Sequence, residues 1–269
     1  MSYGQAIVLG LIQGITEFLP VSSSGHLFLA KYFLGIQDIP LIFDISLHLA
    51  TLLAVFTIFW RKISLLAGAT IRWCMRRSTS EDAPLMSIIC VIFFATLITG
   101  GVGLLIEQLT VSVVIVAIGM LYTAILLLVM PFLPTHKLWS PIVQIILLGI
   151  LQAIAVLPGI SRSGSTIFAA ILVGHKRNEA GEYSFILSIP IILAAFVFSL
   201  KDLTELTLST AIGPVFVSML CAFVSGLLAL RFLLTLISQA KLYYFSIYLI
   251  VLVAFVSVSY THLRAHETR

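Results

Sequence analysis

Two stretches decide how this chain is read: Leu19-Pro20-Val21-Ser22-Ser23-Ser24-Gly25 and Leu157-Pro158-Gly159-Ile160-Ser161-Arg162-Ser163-Gly164. Each sets helix breakers and hydroxyls between two apolar segments, 4–19 and 26–36 in the first case, 142–157 and 165–174 in the second. A spanning helix needs about 20 apolar residues, and stretches of about 10–14 are more often re-entrant. The second member of each pair is too short to span and the first is marginal. Polar, irregular backbone at membrane depth is tolerated only inside protein or beside a water-filled cavity. Both stretches therefore read as the tips of re-entrant helical hairpins.

Working outward, three apolar segments follow each hairpin: 41–60, 85–106 and 111–134, then 183–200, 212–234 and 242–259. The expected fold is an all-α polytopic membrane protein, one membrane domain over 1–257 with halves at about 1–134 and 140–257. Composition agrees. Of 269 residues, 10% are charged and 60% hydrophobic, against about 25% charged in a soluble domain; mean hydropathy is +1.16. Too little polar side chain remains to cover a water-soluble globule. A soluble enzyme, a disordered chain and a nucleic-acid binder are thereby excluded, and the net charge of +4 reads as basic cytoplasmic loops. Cys74, Cys90 and Cys221 have no paired spacing, so neither a disulfide framework nor a metal knuckle is suggested.

The halves resemble each other. At an offset of 139, Gln5 matches Gln144, Gly10 Gly149, Gln13 Gln152, Gly25 Gly164 and Gly35 Gly174; slightly out of register, Asp44 lies opposite Glu182. A hairpin plus three crossings must begin its copy from the opposite face, which gives an inverted-topology repeat with broken segments meeting near the midplane. Arg61, Lys62, Arg72, Arg76 and Arg77 place the 61–84 loop inside the cell. The loops with Lys137, Lys176 and Arg177, and Lys241 follow inside, and Lys31 and Lys201 outside. The first hairpin then enters from the outer face. No basic n-region marks a cleavable secretion signal. Residues 258–269 break the pattern and resemble translated sequencing adapter, so His262 and His266 are set aside as non-native.

Polar residues within the membrane are functional candidates by default. The first hairpin offers Gln13, Glu17, Ser22, Ser23, Ser24 and His26, with Gln13 and Glu17 on one helix face. The second offers Ser161, Arg162, Ser163, Ser165 and Thr166. A guanidinium fork and helix N-termini suit phosphate oxygens, so the set fits phosphoryl transfer better than sugar or amino-acid binding. His48 reads as a packed or polar-lined mid-helix residue and His136 and His175 as solvated loop residues. Asp44 and Glu182 read as helix-dipole partners near helix starts, with support of the site as the alternative. Ser23 reads either as catalytic or as a helix cap.

Gln13-Gly-Ile-Thr-Glu17-Phe-Leu-Pro-Val-Ser-Ser-Ser-Gly-His26 resembles the first motif of the undecaprenyl-pyrophosphate phosphatases, the bacitracin-resistance family. Pro158-Gly-Ile-Ser161-Arg162-Ser163-Gly-Ser-Thr166 is similar to that family's second motif. Gln13 takes the amide alternative where many members carry a second Glu. The resemblance covers the chain to about residue 257. It implies hydrolysis of a C55 isoprenyl diphosphate to the monophosphate, recycling the lipid carrier of cell-wall synthesis in a bacterial plasma membrane. It further implies an outward-facing site and a divalent cation, magnesium or calcium, for which Glu17 is the candidate ligand. Glu17, Ser23, His26 and Arg162 match catalytic positions; Gln13, Ser22, Ser24, Ser161, Ser163 and Thr166 fall in the surrounding substrate pocket. The expected partners are the isoprenyl diphosphate, the bilayer and a second copy of the chain in a homodimer.

The residues leave the attacking group open among the Ser23 oxygen, the His26 nitrogen and a water activated by one of them with Glu17. The expectation is that His26 is essential in every route and Ser23 supporting. A second class stays in view: inverted repeats with broken helices also build transporters or lipid-phosphate translocases. The density of nucleophile and acid–base candidates around one Arg favours the enzyme.

Overall fold

The computed structural model describes residues 1–36, 39–106, 110–133, 138–202 and 212–267, with side chains as far as 260. Among these are ten α-helices and no strand. They are α1 (Tyr3–Phe18), α2 (Ser23–Phe33), α3 (Leu41–Cys74), α4 (Asp82–Ile106), α5 (Val113–Val129), α6 (Pro141–Ile154), α7 (Arg162–Leu172), α8 (Arg177–Ser199), α9 (Ile212–Ser238) and α10 (Tyr244–Glu267). Five helical stretches are long and apolar enough to cross a membrane: α3, α4, Val113–Phe132, α8 and α9. The sixth expected crossing, α10, has a shorter apolar part, Tyr244–Tyr260. His136 and Lys137, and most of the expected 107–110 and 201–211 loops, lie outside the described residues.

Local chemistry explains the two breaks. Ser2 and Gln5 close a capping box that starts α1. Pro20 bars the residue before it from helical geometry, and α1 ends as Leu19 swings to ψ 138. Ser22 restarts the chain as N-cap of α2, its hydroxyl accepting from the Gly25 amide at 3.2 Å. In the second half, Ser161 caps α7 in the same way, accepting from the Gly164 amide at 3.1 Å. The hydroxyls therefore begin the second helices, which start at Ser23 and Arg162, three residues earlier than the apolar pattern alone indicates.

Two further boundaries move. Helix α3 runs on to Cys74 instead of stopping near residue 60, and non-helical angles at Phe59 (φ −102, ψ 18) kink it there. Its 34 residues would extend roughly 50 Å, more than a hydrocarbon core of about 30 Å; beyond the kink Leu66 and Ala69 remain buried, which keeps the segment helical. Helix α8 begins at Arg177, not 183, so Glu182 sits more than a turn inside it, 3.6 Å from Lys62. The dipole acts only on the first turn, so the role expected of Glu182 does not hold. Asp44 does occupy the first turn of α3. His175 is half-buried, not solvated: its Nε2 lies 3.2 Å from Gln144 Oε1 and its ring 4.4 Å from that of Tyr183. Backbone helix continues through the divergent tail to Glu267.

Packing brings the hairpin tips together. Helix α1 lies along α9, α6 along α4, α3 against α8, and α5 against α10. Glycines allow the closest approaches: a Cβ at Gly10 would fall 2.2 Å from the Ser218 carbonyl oxygen, and one at Gly14 would fall 2.4 Å from that of Ala222. Gly159 combines φ +88 with a virtual Cβ only 2.2 Å from the Val116 carbonyl oxygen, so both its conformation and its space demand glycine. Gly35 has φ +66 but nothing within 4 Å. Gly159→Ala should therefore lower the thermal midpoint in detergent far more than Gly35→Ala. The left-handed conformation alone costs about 1–2 kcal/mol, and only Gly159→Ala adds a backbone collision. Equal shifts for the two variants would contradict this packing.

Candidate active site

Glu17 occupies the last turn of α1 with its side chain only 4% exposed. An ionised carboxylate so buried must be paired, and it is. Its Oε1 takes Arg162 Nη2 from the start of α7. Its Oε2 accepts Gln13 Nε2 at 2.9 Å and the Ser23 hydroxyl at 2.6 Å. His48 Nε2 stands 3.3 Å from the same oxygen. One carboxylate thus gathers α1, α2, α3 and α7.

A cleft of about 200 Å³ opens beside this group, bordered by Glu17, Ser23, Ser24, His48, Ser161 and Arg162, with Thr99, Gln152 and several aliphatic residues. On the other side of the Glu17–Arg162 pair is a small chamber of about 10 Å³ that includes Ser163, Thr166, Ser184 and Ser188. Both second hairpin helices begin here, and helix N-termini favour anions. Arg162 spends Nη2 on Glu17, and the guanidinium has five N–H donors, so donors remain for a ligand. A cation, two helix N-termini and several hydroxyls thus surround one carboxylate, a set of donors whose chemistry suits an anion.

The expected residues divide as follows. Glu17, Ser23, Ser24, Ser161 and Arg162 border the cleft. Gln13 is fully buried and holds Glu17 from behind. Ser22 is buried as a cap with φ +72, and Ser163 and Thr166 face the chamber. His26, one turn along α2 from Ser23, touches neither Glu17 nor Arg162. Its Nδ1 is 2.8 Å from the Ser22 carbonyl and its Nε2 2.7 Å from the Tyr248 hydroxyl, with the two rings stacked. His48, read from the sequence as packed or polar-lined, proves polar-lined: it borders the cleft with its Nε2 against Glu17. Tyr248 carried no sequence signal, sitting in an aromatic-rich apolar helix.

The donors do not fit a divalent cation held by the protein. Among the described residues no three His, Cys, Asp or Glu side chains cluster as metal ligands. Both Glu17 oxygens are already engaged, one of them by a guanidinium that would compete with the ion. The Gln13 amide oxygen is buried without a hydrogen-bond partner, but it is a single neutral donor.

The family described as bacitracin resistance protein BacA matches residues 6–255. A protein of Treponema denticola named undecaprenyl-diphosphatase is 43% identical over 254 residues, 93% of this chain and 94% of its own. Proteins with the same name from Borrelia hermsii, 38% identical over 259 residues (94% and 97%), and Desulfatibacillum aliphaticivorans, 36% over 269 (92% and 95%), are also similar.

Breaking one partner of a buried ion pair costs about 3–5 kcal/mol, whereas replacing both is close to neutral. Arg162→Leu should therefore lower the thermal midpoint in detergent, and Glu17→Gln with Arg162→Leu should recover most of the loss. A double variant no more stable than Arg162→Leu would show that the two side chains are not coupled.

Proposed function

The chain belongs to the bacitracin resistance protein BacA family, and on that premise we propose that it hydrolyses undecaprenyl diphosphate to undecaprenyl phosphate and inorganic phosphate, with Glu17, Ser23 and Arg162 at the reacting centre. The activity recycles the lipid carrier of cell-wall synthesis and accounts for the resistance in the family's description. The observation that carries the assignment of residues is the 2.6 Å bond from the Ser23 hydroxyl to Glu17 Oε2, because a serine needs an adjacent base to attack.

In this reading the terminal phosphoryl group lies against Arg162 and the start of α7, where planar donors neutralise charge in transfer. The Ser23 oxygen attacks the terminal phosphorus while its proton passes to Glu17. The bridging P–O bond breaks, and undecaprenyl phosphate leaves as an anion. Water then cleaves the phosphoserine. His26 lies on the same face of α2 as Ser23 and suits the base of that second step, exchanging its Tyr248 bond for the water. The geometry thus favours Ser23 over His26 as the attacking group, a choice the residues alone leave open, and speaks against the expectation that Ser23 is only supporting. The divalent cation implied by the resemblance would enter as counterion of the diphosphate.

The inverted repeat draws support from paired details. Gly10 of α1 packs on α9 as Gly149 of α6 packs on α4. Gly35 and Gly174 both have positive φ just past the second hairpin helix. The Ser22–Ser24 and Ser161–Ser163 hydroxyl pairs stand 3.3 and 3.1 Å apart. With the 61–84 segment inside, the first hairpin enters from outside, so the cleft faces the outer side of the plasma membrane.

Ser23→Ala should lose nearly all phosphate release from a long-chain isoprenyl diphosphate, and rapid quench of the wild type should trap phosphoserine. Arg162→Lys should also be poor, since an ammonium cannot replace the fork. Full turnover in Ser23→Ala would rule out the attack. For orientation, cysteines placed at Thr79 or Ser80 should resist impermeant labelling of intact cells, while one at Thr110 should react; the reverse pattern would turn the topology over.

A further inference from the structure

The first two turns of α3 hold an unassigned device beside the reacting pair. Asp44 and His48 are four residues apart and share one helix face. The Asp44 carboxylate takes two bonds from Lys31 Nζ, at 2.6 and 2.7 Å, near the far end of α2. The Asp44 backbone carbonyl lies 2.8 Å from His48 Nδ1. A carbonyl only accepts, so Nδ1 carries a proton and donates it there. That fixes the ring and leaves Nε2 facing Glu17 Oε2 at 3.3 Å. Two bare lone pairs would repel at this distance, so the contact requires a proton between them, and Glu17 stays free to receive the Ser23 proton only if His48 carries it.

We infer that His48 is a positioning residue for the reaction: by sharing that proton it fixes Glu17 Oε2 in the orientation that receives the Ser23 hydroxyl. The inference rests on the reading of Ser23 and Glu17 as the reacting pair. Three features separate this contact from ordinary packing. It falls on the same oxygen that takes Ser23. The imidazole is 24% exposed and borders the cleft, so it is not a core filler. Its other nitrogen is fixed by the residue that also ties α3 to α2 through Lys31. Glu17 is then held on Oε1 by Arg162 and on Oε2 by Gln13 and His48. Without His48 the carboxylate can turn away from Ser23 while keeping its guanidinium partner.

The test uses the full chain purified in detergent. A hydrogen bond to a charged group, when lost, is expected to lower kcat by about tenfold to a hundredfold. His48→Leu should show that loss with KM unchanged and with a fall in thermal midpoint no larger than that of Arg162→Leu. His48→Gln, which restores a neutral N–H donor, should bring kcat back to within about threefold of wild type. A second readout needs no turnover of lipid: phosphonylation of Ser23 by a fluorophosphonate should slow in His48→Leu by a similar factor and recover in His48→Gln. Wild-type kcat and labelling in His48→Leu would overturn the inference, as would His48→Gln behaving like His48→Leu. Failure of the function reading looks different: the wild-type chain would release no phosphate while the His48 variants still graded the labelling of Ser23.

Discussion

A carboxylate buried in protein must find a cation, and the link between Glu17 and Arg162 meets that demand across the two halves of the chain. The desolvation cost of either charge alone is several kcal/mol, so neither hairpin tip is stable without the other. That constraint explains why backbone at the tips is packed so tightly. A Cβ on Gly25 would come 3.2 Å from the Gly159 Cα, and one on Gly164 would come 3.3 Å from the Pro20 Cβ. The tips interlock because small residues stand wherever one crosses the other.

The pairing also explains how two similar hairpins become one unsymmetrical site. Both supply a capping serine, a hydroxyl pair and a helix N-terminus. Only the first carries the carboxylate and the histidine, and only the second the guanidinium. At the repeat position of His26 the second half has Ser165, whose buried hydroxyl finds no partner. Gln13 and Gln152 remain matched, each burying an amide oxygen without a hydrogen bond, but one braces Glu17 while the other bonds Thr99 at 3.0 Å. The carboxylate and the guanidinium thus come from different halves of the chain.

Much of this was legible in the sequence because membrane physics makes polar residues conspicuous. Glu17, Arg162 and the serine runs stand out against apolar surroundings, and the proline-containing stretches beside the serines disclose the helix breaks. His48 did not stand out: a lone histidine in a long apolar helix looks the same whether it packs or faces a carboxylate from another helix. The Tyr248 bond to His26 spans 222 residues and left no pattern in an aromatic-rich segment. Helix ends were misjudged where hydropathy and helicity part company. Residues 61–74 are polar enough to read as a loop but contain no proline, and Arg177 to Glu182 are charged yet helical.

The central claim is that the hairpin tips of the two halves meet face to face. A cysteine cross-link tests it most directly: Pro20→Cys with Gly164→Cys, in a chain whose Cys74, Cys90 and Cys221 are replaced by Ser. The Cβ separation of 3.3 Å is just below the range of about 3.5–4.5 Å that a disulfide spans, so a shift of a few tenths of an ångström forms the bond. With the chain cleaved once between Pro134 and Ser140, oxidation should hold the two fragments together on a denaturing gel, and reduction should release them. Fragments that separate without reduction, from a protein folded before denaturation, would contradict the account.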